Sequence, residues 1–186
     1  MVSPAQQKII QIECTNVCPK SCSNCTRLCG HGREPFFMDL KTFKDAVESL
    51  QGFPNMVGVM GGEPTLHPHF AELTLYIASR RPDARPDFAP SKPILGEFDE
   101  AFKDTLTYHP FQKGLWTALG PGYRKHYELI QDTYFYQCIN DHKGGSKHRA
   151  LLMPRKDLGI PDDEWVKYRD ACWIQRLWSA SVTPRG

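Results

Sequence analysis

No stretch of the 186 residues approaches the roughly 20 consecutive apolar positions that a membrane-spanning helix needs. The opening MVSPAQQKII carries one charge and no apolar core, so nothing there reads as a secretory leader. No sign of charge dominates either. Against 23 basic residues stand 21 acidic ones, for a formal net charge of +2, and the basic residues sit in mixed stretches such as KHYELIQD and RPDARPD. A nucleic-acid-binding surface normally shows a basic stripe or patch, and none is legible. There is no long-period repeat, which removes solenoids and propellers. The length fits one domain, able to bury about 70% of its unfolded surface without help from disulfides or zinc.

What the chain has in excess is cysteine in one place. Seven cysteines are an odd number, so complete internal pairing is impossible, and five of them fall between Cys14 and Cys29. With no leader, a cytoplasmic, reducing setting is expected. There disulfides are rare, and tight cysteine spacing reads as metal binding or catalysis.

The hydrophobic pattern places that cluster. Lys8 to Glu13 is a short β-branched run that reads as a buried strand. From Cys14 to Pro35 no period is present, which predicts a long loop of the functional kind. Asp39 to Leu50 predicts a helix capped by Asp39, with Leu40, Phe43, Val47 and Leu50 inward. Met56 to Met60 is a second strand, running into Gly61-Gly62-Glu63-Pro64. Pro68 to Arg80 is a second helix, with Phe70, Leu73, Tyr76 and Ile77 inward.

Alternation of strand, loop and helix predicts an α/β fold with a parallel sheet and helices outside. Ligands in such folds bind at the carboxyl ends of strands. Both the cysteine loop and the GGEP turn stand at such ends.

The pattern then breaks over 81–93, where proline is dense. Beyond it, Glu97–Tyr108 and Tyr123–Asp132 read as helices and Gly114–Leu119 and Tyr134–Ile139 as strands. Pro161–Trp173 reads as a further helix and Trp178–Thr183 as a last strand. Gln137, Asn140 and His142 are candidate contact residues at a strand end facing the mouth. His67 and His69 read as capping or surface groups. Trp165, Trp173 and Trp178 read as core. Cys14 reads as a small buried residue and Cys29 as a free loop thiol.

Cys18, Cys22 and Cys25 form C-x3-C-x2-C on one loop. Structural zinc usually takes two short cysteine pairs divided by a structured spacer. Three thiolates on one loop can instead hold three irons of a four-iron cube and leave the fourth open to a ligand. Zinc, with Cys29 or His31 as the fourth ligand, stays open as the alternative.

Thr15-Asn-Val-Cys18-Pro-Lys-Ser-Cys22-Ser-Asn-Cys25 resembles the signature of the radical S-adenosylmethionine (radical SAM) enzymes, and Gly61-Gly62-Glu63-Pro64 resembles that family's GGE motif, in the same order and spacing. The resemblance implies a partial or distorted (β/α) TIM-type barrel. It implies a [4Fe–4S] cluster held by Cys18, Cys22 and Cys25, and SAM chelating the open iron. The SAM amino group would lie against the Gly61–Glu63 segment of the cofactor-binding Gly61, Gly62, Glu63 and Pro64; Gln137 and Asn140, by their strand-end position, are further cofactor or substrate contact candidates. The implied activity is reductive cleavage of SAM to a 5′-deoxyadenosyl radical that abstracts hydrogen from a substrate. The implied partners are a reductant protein of flavodoxin or ferredoxin type and an unidentified substrate, with a peptide as one class.

Asn24 stands where that family often has an aromatic residue, and the 81–93 break stands where a third strand is expected. Cys172 to Gly186 is similar to the opening of the SPASM or twitch extensions of the same family. The expected division is therefore a core over 1–160 and the start of an extension over 161–186. Two alternatives stand beside this reading: a non-catalytic zinc- or iron–sulfur-binding module, and a truncated, inactive fragment.

Overall fold

The computed structural model describes residues 3–22, 25, 27–32, 34–83, 112–140, 155–172 and 180–184. The first strand, β1, covers Ile9–Thr15, and helix α1 follows at Leu40–Ser49. Asp39 caps α1 as its position predicts: its carboxylate accepts from the Thr42 amide at 2.9 Å and the Thr42 hydroxyl at 2.7 Å. Strand β2 is Met56–Gly61, and after a short 3-10 turn at Pro64–Leu66 helix α2 runs over Phe70–Arg80.

Strand β3 is Lys113–Ala118. The helix expected over Tyr123–Asp132 is two pieces, α3 at Pro121–Lys125 and α4 at Tyr127–Thr133. His126 ends the first and starts the second, with a backbone (φ −108°, ψ 18°) outside the helical well. Strand β4 is Tyr136–Asn140, helix α5 is Asp162–Ala171 and strand β5 is Ala180–Val182. The helix expected over Glu97–Tyr108, and Trp173 and Trp178, lie outside the described residues.

The strands form one sheet in the order β4-β3-β2-β1-β5, every pair parallel. Successive strands β1 to β4 sit side by side, as in a singly wound barrel, and the last strand returns to the far side of β1. The sheet is open between β4 and β5 among the described residues. The α/β class and the parallel sheet expected from sequence are present, and the barrel is partial. Strand β5 belongs to the stretch assigned to an extension, yet it pairs with Ile10, Gln11 and Ile12 of β1 and so joins the core sheet.

Alternation along β1 divides its two faces. Ile10, Ile12 and Cys14 enter the core with Val57 and Val59 of β2, Leu115 of β3, and Phe43, Val47, Phe70, Leu73 and Ile77 of α1 and α2. Gln11 and Glu13 point to the opposite face, the inner, concave one of the partial barrel, and the register shifts between Glu13 and Thr15 where the loop begins. Tyr76, expected inward, is only partly buried and donates its hydroxyl to Glu48; Thr74 takes the fully buried place.

Trp165 is a correction. It is 38% exposed, and α5 buries none of its residues, because its pattern of charges leaves no continuous apolar stripe. No helix among the described residues is long and apolar enough to cross a membrane.

Candidate functional site

The cysteine loop leaves the carboxyl end of β1 and is closed at its neck. The Asn16 side-chain amide donates to the Glu34 carbonyl at 2.8 Å, and its oxygen accepts the Phe36 amide at 2.8 Å. The Thr15 hydroxyl donates to the Phe36 carbonyl at 2.7 Å and accepts the Val17 amide at 3.0 Å. The Met38 amide returns to the Cys14 carbonyl. Thr15 and Asn16 thus pin the entry of the loop to its exit. Neither residue is assigned a role by the sequence pattern. The signal available was their side chains: short polar groups just past a strand end satisfy loop backbone well.

Within the loop, the Cys25 amide donates to the Cys22 carbonyl at 3.1 Å, which sets the second and third motif cysteines on one turn. Gly30 has a φ of +72°, and a methyl group there would strike the Lys20 carbonyl. All seven cysteines are free thiols. Burial, the Glu63 carboxylate, and the Cys22 and Cys25 sulfurs together push the Cys18 thiol up from its ordinary value, which places these four groups within electrostatic reach of one another.

The other two loop-region cysteines behave differently. Cys14 is fully buried beside β2 and is pushed up to about 12 by burial. Cys29 is buried too, also pushed up to about 12 by burial and by Cys25, and its amide donates to the Cys25 sulfur at 3.3 Å. It is a free thiol as expected, but packed under the loop rather than lying on it.

Among the described residues, no three His, Cys, Asp or Glu side chains converge tightly enough to hold a single metal ion. The His31 Nε2 lies 2.9 Å from the Cys22 carbonyl oxygen. The thiolates bound to different corners of a four-iron cube stand farther apart than the ligands of one ion. Three free, partly exposed thiols on one loop, within mutual electrostatic reach, fit that larger group by the chemistry of the donor set.

The GGEP turn, about forty residues later in sequence, is in direct contact with this loop. The Gly62 amide donates to the Thr15 carbonyl at 2.7 Å. The Glu63 amide donates at 2.8 Å to the carbonyl of Val17, the residue immediately before Cys18. Both glycines are required by that approach. Gly61 has a φ of +153°, and a methyl group on it would collide with the Thr15 carbonyl oxygen. One on Gly62 would collide with that of Val17. Their absent side chains thus let strand ends β1 and β2 approach each other.

Glu63 is 4% exposed. Its Oε1 accepts from the Thr65 amide at 3.1 Å, the Thr65 hydroxyl at 2.6 Å and the Thr117 hydroxyl at 2.6 Å. Its Oε2 accepts from the Ala118 amide at 2.6 Å. Pro64 is buried and begins the 3-10 turn.

His67, expected as a surface or capping group, is buried. Its Nδ1 accepts the His69 amide, so Nε2 carries the proton and donates to the Met38 carbonyl at 2.8 Å, tying the GGEP turn to the loop exit. Burial lowers its pKa. His69 is exposed and pairs with Glu72.

The candidates on β4 divide. Gln137 lies on the helix side. Its oxygen accepts the Tyr123 hydroxyl at 2.7 Å, and its amide donates to the Tyr134 carbonyl at 2.8 Å. Strand alternation puts it with core-packed Ile139, on the helix side of the strand end that was expected to face the mouth. Asn140 falls on the concave face and is exposed at the strand end. His142 lies outside the described residues.

Arg27 was not anticipated. It reaches from the loop to the concave face, donating to Glu13 at 2.7 Å, Gln11 at 2.9 Å and Ser181 at 3.3 Å, and so joins the loop to β1 and β5.

No family model and no curated protein matches the chain. Among solved structures, the chain is similar to BtrN in complex with AdoMet and 2-DOIA, at 21% identity and a TM-score of 0.49, over 97% of this chain and 71% of that one. It is also similar to Streptococcus suis SuiB bound to S-adenosylmethionine, at 13% identity and a TM-score of 0.39, over 96% of this chain and 51% of that one. These likenesses are distant, and the function of the chain must be read from its own residues.

Proposed function

We propose that the chain is a radical SAM enzyme whose Cys18, Cys22 and Cys25 hold a [4Fe–4S] cluster beside a SAM-binding ledge at Gly61–Pro64. The observation that carries this reading is the pair of amide bonds from Gly62 and Glu63 to Thr15 and Val17, which join the two motifs at one mouth of a parallel sheet. When bound and reduced, the cluster supplies the electron that splits SAM to a 5′-deoxyadenosyl radical able to abstract substrate hydrogen.

The chain's own residues do the holding. Cys22 and Cys25 share one turn, and Asn16 and Thr15 keep the loop neck shut. Glu63 offers a buried negative charge to an ammonium group, for which charge-assisted hydrogen bonds are strong. Asn140 stands exposed on the concave face as a further cofactor contact. Gln137 is withdrawn from that role by its hydrogen bonds to the helix side. The electron comes from a small reductant protein, in a reducing compartment that keeps the thiols free. The substrate, for which a peptide remains one class, enters over the concave face.

Anaerobic reconstitution with iron and sulfide tests the reading. The full chain should turn brown, bind about four irons, and release 5′-deoxyadenosine from SAM with dithionite. Cys22→Ala should lose the colour, and Cys29→Ala should keep most of it. A colourless protein carrying one zinc would favour the binding module, and the reverse pattern in the two variants would overturn the ligand assignment.

A further inference from the structure

We propose that Thr117 is a positioning residue: it fixes the Glu63 carboxylate so that one oxygen stays open to a cationic amine. The inference rests on the reading above, in which that amine is the ammonium of SAM.

A buried carboxylate must find donors, and Glu63 finds four. Each carboxylate oxygen offers about two acceptor positions. Three donors crowd Oε1, whereas among the described residues Oε2 takes only the Ala118 amide and keeps a position unused. The Thr65 donors come from the turn that carries Glu63, whereas the Thr117 hydroxyl, 2.6 Å from Oε1, and the Ala118 amide, 2.6 Å from Oε2, both come from β3. With the Ala118 amide on one oxygen, the Thr117 hydroxyl on the other fixes the plane of the carboxylate. It thereby fixes the direction of the acceptor position that Oε2 keeps. The Gly120-Pro121-Gly122 turn holds the arrangement shut: a methyl group on Gly122 would collide with the Thr65 hydroxyl.

The test uses the anaerobically reconstituted full chain and equilibrium dialysis against two ligands. One is SAM. The other is 5′-methylthioadenosine, which keeps the nucleoside and the sulfur but has no ammonium. Thr117→Val should weaken SAM binding about tenfold, the loss of one hydrogen bond to a charged group. It should leave 5′-methylthioadenosine within about twofold of wild type, well short of the loss of a hydrogen bond. Thr117→Ser, which keeps the hydroxyl, should bind SAM as the wild type does.

A structural role alone would weaken both ligands together, and that result overturns the inference. So does a Thr117→Ser loss as large as that of Thr117→Val, or an unchanged affinity of Thr117→Val for SAM. Wild-type protein that binds no SAM overturns the functional reading itself, which separates the two failures.

Discussion

At the amino ends of β2 and β3 one buried guanidinium does the work of a seal. Arg81 donates to the carbonyls of Leu50, Phe53, Asn55 and Gln112 and to the Gln112 side chain, and Lys113 pairs with Asp83 beside it. At the carboxyl ends of the same strands, Glu63 gathers amides and hydroxyls from its own turn and from the end of β3, and the loop that carries the partly exposed Cys18, Cys22 and Cys25 is bonded to the Glu63 amide through Val17. At the base the guanidinium and its partners are occupied within the chain. At the mouth, among the described residues, an acceptor position on Glu63 is left over and three thiols stand partly exposed. Burying polar groups with capacity to spare costs stability, so the mouth is where a ligand has something to complete.

Substitution separates the two ends, most sharply at the base. Arg81→Met leaves several buried carbonyls without donors and should cost about 3 kcal/mol or more in denaturant unfolding. Iron bound per folded chain should stay unchanged, because the lost contacts lie at the far end of the sheet from the cysteines. A full loss of iron in protein that remains folded would show that the ends are not independent.

Gly62→Ala strikes the mouth instead. Its methyl group meets the Val17 carbonyl, so the loop and the ledge must separate. About 1–3 kcal/mol of stability should go, and SAM affinity should fall by more than the stability loss alone explains. Calorimetry on one preparation reads both.

The smallest effect is a pH slope. His67 is held neutral by burial, so its folded pKa lies below the unfolded value of about 6.5. The full contribution of His67 to stability is present above that pH. It is lost as pH falls, because the unfolded chain takes up a proton that the folded one refuses. His67→Gln should flatten the difference between pH 7 and pH 5. Equal slopes in the variant and the wild type would assign the acid loss to other groups, of which His126, also lowered by burial, is one.

Much of the frame was legible in sequence because it follows local rules. The α1 cap, the apolar runs of β1 and β2 and the strand-end glycines each declare themselves within a few residues. What was not legible depends on partners far along the chain. Arg81 opens a proline-rich stretch that reads as loop, yet its acceptors are up to 31 residues away. His67 looks like a surface residue until Met38 supplies its acceptor 29 residues upstream.

The face of Gln137 turns on strand phase. The apolar run Tyr134 to Ile139 leaves that phase ambiguous, because β4 has hydrophobic residues on both sides. The break at His126 has no proline or glycine to announce it. Trp165 misled because a large aromatic is read as core by composition, whereas its helix offers no apolar stripe to bury.

Low-temperature EPR of the reduced, reconstituted full chain, recorded before and after SAM is added, tests the central claim most directly. The expected result is an iron–sulfur signal whose shape changes on SAM addition in the wild type, and no such signal in Cys22→Ala. A signal indifferent to SAM, or one that survives the loss of Cys22, would contradict a cluster held by these three thiols with its open corner toward the glycine ledge.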